Sequence, residues 1–94
     1  ILPIEEVETA FYLRICAKDN PGVLSRITTA LSAGNINIEA ITQREADEVN
    51  GQVPIIMLTR KVKEAQMRRA IREIEAIDDI VGEVVRIRLE TLDA

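Results

Sequence analysis

Histidine and tryptophan are absent from this 94-residue chain, cysteine occurs once, and aromatic residues make up only 2%. Without histidine, Ser-His-Asp and Cys-His nucleophile systems, most zinc sites and the usual general base near neutral pH are excluded. A single cysteine, Cys16, leaves no internal disulfide and fits a reducing cytoplasm. With no histidine and no cluster of positive charge around it, Cys16 is expected to serve packing. Basic residues are outnumbered as well: 12 Lys+Arg against 16 Asp+Glu give a net charge of −4, the wrong sign for a phosphate-binding surface. Long hydrophobic runs are missing. The longest, Val53 to Leu58, is six residues and includes Pro54, whereas a membrane span needs roughly 20. There is no Gly-x-Gly-x-x-Gly, no phosphate-binding loop and no metal-ligand set, so no catalytic residue, metal or cofactor site is expected in the chain. It opens at Ile1 without an initiator Met or a signal-peptide pattern, and is expected to be a piece of a longer protein.

What the chain does have is aliphatic residues in periodic order. Fourteen Ile, eight Val and seven Leu exceed what a disordered chain carries, and the length fits one domain with a thin core. Residues 1–9, with Pro3 and three glutamates, read as a linker. Ala10 to Ala17 alternates, with Phe11, Leu13 and Ile15 on one face and Tyr12, Arg14 and Cys16 on the other, as in a strand with one buried face. A helix follows, with Asn20 as expected N-cap, Pro21 at the first helical position and Leu24, Ile27 and Leu31 as its apolar stripe. Gly34-Asn35 stops it.

A second strand is expected over Ile36 to Arg44, with Ile36, Ile38 and Ala40 alternating. Ile41 breaks that parity, which suggests a bulge or an end of pairing there. Asn50-Gly51 marks a hairpin turn. The third strand, Gln52 to Arg60, is apolar on both parities and is therefore expected to lie centrally with both faces covered. A second helix spans Lys63 to Ile77, with Met67, Ala70, Ile71, Ile74 and Ile77 at helical spacing. Val84 to Glu90 alternates as the fourth strand. The order β-α-β-β-α-β predicts an α+β, ferredoxin-like fold: a four-stranded antiparallel sheet with both helices on one face. Such a sheet leaves its other face bare, and a second copy of the chain is the expected cover.

The most informative stretch is Asp19-Asn20-Pro21-Gly22-Val23-Leu24. A strand ending in a tight turn at a helix start presents free N–H groups and a partial positive charge, which suit a carboxylate or phosphate. Gly22 would let a small ligand approach the backbone. On spacing alone, a plain helix cap at Asn20-Pro21 accounts for the same residues. The basic residues Arg60, Lys61, Lys63, Arg68, Arg69 and Arg72 are the one feature an RNA-binding reading could use, but base-stacking sheets need aromatics, and Phe11 and Tyr12 are adjacent and so face opposite ways.

Asp-x-Pro-Gly-Val-Leu after an alternating strand, then about a dozen helical residues and Asn-Ile-Asn-Ile, resembles the ACT domain, a small amino-acid-sensing module appended to metabolic enzymes. The resemblance runs from Phe11 to Leu89, within a domain placed at residues 10–94 after the 1–9 linker. Phe11 to Arg14, Glu39 to Ala46, Val53 to Thr59 and Val81 to Arg88 are most similar to the C-terminal regulatory ACT domain of the bacterial homoserine dehydrogenases. That resemblance implies an NAD(P)-dependent parent reducing aspartate semialdehyde to homoserine, with the cofactor in a catalytic region outside this chain. It implies L-threonine as feedback effector, a homodimer or higher oligomer, and neither nucleic acid nor membrane as partner.

In the family the effector lies between the first turn of one subunit and the start of the second strand of its partner. By position, Asp19 with Asn20 forms the polar turn, and Gly22, Val23 and Leu24 begin the helix whose N–H groups meet the ligand carboxylate. Asn37 and Ile38 stand at the second strand's start, with Asn37 as the gripping amide, and Gln43 matches a glutamine implicated in threonine sensing. The family usually has Gly where Asn35 stands; Asn also tolerates a left-handed conformation, so the turn is expected to survive. A module that only holds subunits together, or an ACT domain of another amino-acid-metabolism enzyme, would share the fold. A pure dimerisation module has no need of a ligand-gripping turn.

Overall fold

The computed structural model describes residues 7–89. Its elements are β1 (Glu8–Lys18), α1 (Val23–Ala33), β2 (Ile38–Gln43), β3 (Gln52–Thr59), β4 (Val62–Lys63), α2 (Glu64–Glu75) and β5 (Val85–Leu89). The four long strands lie in the order β2-β3-β1-β5, all antiparallel, and the two-residue β4 pairs with the start of β1. This is the expected ferredoxin-like arrangement with one short strand added. Most of the linker expected over 1–9 lies outside the described residues, as does Glu90; Glu8 and Thr9 belong to β1.

One sheet face and both helices share the core. Phe11, Leu13, Ile15 and Ala17 of β1 and Val53, Ile55 and Met57 of β3 are buried against Val23, Ile27 and Leu31 of α1 and Met67, Ala70, Ile71 and Ile74 of α2. The alternation read along β1 and β3 is thus the burial pattern itself. The α1 stripe is centred on Val23 rather than Leu24, which packs half-buried at its flank. Pro54 is tolerated inside a central strand because its carbonyl accepts from the Arg44 N–H, just past the end of β2; the missing proline donor falls where pairing stops.

Thr59 is a buried polar residue that periodicity did not single out. Its hydroxyl accepts from the Phe11 N–H at 3.1 Å and donates to the Arg60 carbonyl at 3.0 Å, where β3 gives way to β4. Thr59→Val keeps the shape and orphans a buried N–H. It is expected to cost about 1–3 kcal/mol, read as a lowered midpoint in urea unfolding.

Two expectations need correction. Asn20 is not the helix N-cap: α1 begins at Val23, Gly22 is the cap residue with φ 84°, and no side chain caps it. The Asn20 amide is directed to Asp79 instead, 2.9 Å from its Oδ1, and Pro21 sits in the turn rather than in the helix. The bulge in β2 falls at Glu39, between Ile38 and Ala40, not at Ile41. Asn35 does adopt the left-handed conformation, at φ 60°, and so ends α1 as expected.

The alternation of β5 runs opposite to the usual sense. Arg86 and Arg88 lie opposite Leu13 and Phe11 on the helix-covered side, and both reach Glu64 at the start of α2, at 3.2 and 3.4 Å. Val85, Ile87 and Leu89 therefore point to the bare face and are 36–52% exposed. They join Tyr12, Pro54, Ile56 and Leu58, all half-buried, in an uncovered apolar sheet face.

Candidate functional site

At the end of β1 the chain leaves the sheet, turns through Asp19 to Gly22 and enters α1. The Asn20 N–H donates to the Lys18 carbonyl at 2.9 Å, which tightens the turn. Gly22 then takes a left-handed conformation that costs other residues energy and costs glycine little. The first intrahelical bond runs from the Arg26 N–H to the Gly22 carbonyl at 3.1 Å. The N–H groups of Val23, Leu24 and Ser25 precede that bond, and with no side-chain cap they remain available as donors beside the positive end of the helix.

Val23 and Leu24 border a cleft of about 210 Å³. Ala17, Val23, Leu24, Val53 and Ile55 supply an apolar floor, while Lys18, Asp19, Asn20, Gly22 and Gln43 form the polar rim. Gln43 owes its place to the bulge. Ile38 pairs with Thr59, but after the extra residue Gln43 pairs with Ile55, which transfers Gln43 to the helix-covered face. Its side-chain amide makes no hydrogen bond among the described residues.

The structure therefore brings together Asp19, Asn20, Gly22, Val23, Leu24 and Gln43. It does not bring Asn37 and Ile38 to them within one chain. Asn37 stands just before β2, at the end opposite Gln43, where its carbonyl accepts from the Arg60 N–H at 2.9 Å; Ile38 packs half-buried against the core. Only another copy could bring an Asn37 to this cleft.

Sequence reasoning missed Asp79. Its carboxylate accepts from Asn20 at 2.9 Å and from Arg26 at 2.8 Å, which ties the turn to the loop after α2. No local signal could have revealed it, since Asn20 and Asp79 are 59 residues apart. Cys16 lies half-buried on the bare sheet face and donates to Gln52 Oε1 at 3.1 Å. Phe11 is buried, so Tyr12 alone is available on that face as an aromatic. Among the described residues no group of His, Cys, Asp and Glu could hold a metal ion, and no helix is long and apolar enough to cross a membrane.

The ACT domain family model matches residues 11–79, and the chain belongs to the ACT domain family. Over 93 residues it is 53% identical to a homoserine dehydrogenase from Pseudomonas aeruginosa, covering 99% of this chain and 21% of that protein. The crystal structure of a homoserine dehydrogenase from Thiobacillus denitrificans superimposes with a TM-score of 0.87 at 46% identity, over 99% of this chain and 20% of that one. The ACT domain from GTP pyrophosphokinase of Chlorobium tepidum superimposes with a TM-score of 0.67 at 16% identity, a likeness of fold alone. The chain spans about a fifth of the length of the curated relatives it matches.

Proposed function

We propose that this chain is the amino-acid-sensing regulatory domain of a cytoplasmic homoserine dehydrogenase, with L-threonine as feedback effector. The parent would reduce aspartate semialdehyde to homoserine with NAD(P), held by a catalytic region outside these residues. The observation that carries the sensing role is the uncapped start of α1 opening into a cleft whose rim holds the amide of Gln43, unpartnered among the described residues. A free amino acid suits this arrangement. Its carboxylate would take the N–H groups at the helix start, its side chain would lie over Val53 and Ile55, and Gln43 would reach a side-chain hydroxyl.

A site that hydrogen-bonds a hydroxyl discriminates against analogues that lack it, because its own polar group is then left unpaired. Threonine is accordingly favoured over isoleucine and methionine, and its methyl group over serine's bare CH₂ on the apolar floor. Regulation would follow from linkage: a ligand that binds one arrangement of the parent more tightly draws the protein into it. We also propose that two copies associate, with the bare sheet face as the contact.

Calorimetric titration with threonine, serine, isoleucine and methionine tests the sensing role. Selective heat with threonine is expected, weakened about tenfold in Gln43→Ala, the equivalent of about 1.4 kcal/mol for one polar contact. A stable dimer that takes up none of the four would replace sensing with a purely assembling role.

A further inference from the structure

We infer that Asp79 is a positioning residue for the effector turn, holding it in the ligand-ready shape from outside the cleft. The inference rests on the sensing role proposed above. Asp79 lies in the loop that follows α2, and its side chain is only 17% exposed. It grips the turn at three points. Its carbonyl accepts from the Lys18 N–H at 2.8 Å before the turn. Oδ1 accepts from the Asn20 amide at 2.9 Å within the turn, and Oδ2 accepts from the Arg26 guanidinium at 2.8 Å in the first turn of α1.

The segment behind Asp79 is itself fastened to β1. Ile80 bridges to Ala17, and the Val81 N–H donates to the Cys16 carbonyl at 2.8 Å. Asp79 is thus presented from a braced backbone, which gives its grip a fixed reference. The turn needs such a grip. Apart from Asn20 it is built of an exposed Asp19, Pro21 and an uncapped Gly22, and no other described side chain bonds across it. Left untied, Gly22 would sample both signs of φ and scatter the helix-start donors, and a ligand would bear the ordering cost. The Arg26 guanidinium pairs with the Asp79 charge while the Asn20 amide hydrogen-bonds its other oxygen.

The test is amide hydrogen exchange of the ligand-free protein, together with threonine titration, for Asp79→Ala. Exchange of the Lys18, Asn20 and Arg26 amides is expected to rise at least about tenfold, with Leu13 and Met57 amides unchanged, and threonine affinity to fall about fivefold or more. Asp78→Asn, on the exposed neighbour, is expected to alter neither. Asp79→Ala with Arg26→Gln separates positioning from charge: a positioning role leaves the double variant as loose and as weak as the single one. Recovery of wild-type affinity in the double variant would overturn the proposal, because the loss would then come from the unpaired Arg26 side chain and not from a loosened turn. Unchanged exchange at Lys18, Asn20 and Arg26 would overturn it as well. If Asp79→Ala unfolds, Asn20→Ala removes one tie alone and is expected to loosen Lys18 and Asn20 to a smaller degree. Failure of the wild-type protein to bind threonine would refute the sensing role, while the exchange data would still decide whether Asp79 holds the turn.

Discussion

Gly22→Val is expected to weaken effector binding by tenfold or more while the domain stays folded. The residue stands at φ 84°, and nothing lies within 4 Å of the position an added Cβ would take, so the Cβ itself meets no clash. The cost is conformational. An L-residue held left-handed loses roughly 1–2 kcal/mol, and a β-branched one is a steric outlier there. Relief comes by rotating the turn to negative φ, which redirects the N–H groups of Val23 and Leu24 away from the cleft. Gly22→Asn is the informative companion. Asn35 already occupies φ 60° in this fold, so asparagine at position 22 is expected to keep most of the affinity. Titration calorimetry reads the binding, and thermal unfolding reads the strain as a fall of about 4–8 °C per kcal/mol for a domain of this size.

Ile87→Asp is expected to convert a dimer into a monomer without unfolding it. Ile87 is 52% exposed on the bare face in the middle of the edge strand β5, between Val85 and Leu89 and opposite Tyr12. Burying an unpaired carboxylate in an apolar contact costs on the order of 2–4 kcal/mol, which is roughly a 30- to 1,000-fold rise in the dissociation constant. Sedimentation velocity over a dilution series measures it. The same face gives the association an unusual salt dependence. Arg14 lies on it opposite Ile56 and Val85 and Arg44 borders the same depression, so the two charges lining this depression are of one sign, with Glu8 away at the start of β1. Two copies meeting through it would repel at low ionic strength, and added salt is expected to tighten the dimer. A dimer that survives Ile87→Asp and loosens in salt would place the contact elsewhere.

The parts of the fold that could be read from the sequence are those governed by local repetition. The two-residue period of Phe11, Leu13 and Ile15 and the helical spacing of Met67, Ala70, Ile71 and Ile74 each record which side meets the core. What could not be read depends on partners distant in the chain. Asn20-Pro21 has the form of a helix start, yet the Asn20 amide is drawn off by Asp79, and the left-handed Gly22 delays the helix to Val23. Ile41 revealed that the parity of β2 changes, but not where, because the slip at Glu39 is defined by pairing with Leu58 and Thr59. In β5 the apolar residues face outward because Glu64, over 20 positions earlier, binds both arginines on the covered side.

The candidate site divides along the same line. Its turn, from Asp19 to Leu24, is a contiguous motif and carries its meaning in sequence. Gln43 reaches the cleft only through the bulge, which reverses the facing that simple alternation from Ile38 would give it. Asn37 and Ile38 stay at the far end of β2, and their part in binding depends on a second copy.

The most direct measurement is amide chemical-shift mapping of the ¹⁵N-labelled chain during titration with L-threonine. Saturable shifts are expected at Gly22, Val23, Leu24 and Ser25 and at the side-chain amide of Gln43, with Asn37 following if a second copy completes the site. Shifts confined to the groove between α1 and α2, around Ala30 and Ala70, or no shifts at all in a folded dimer, would contradict the assignment of the β1–α1 turn as the effector site.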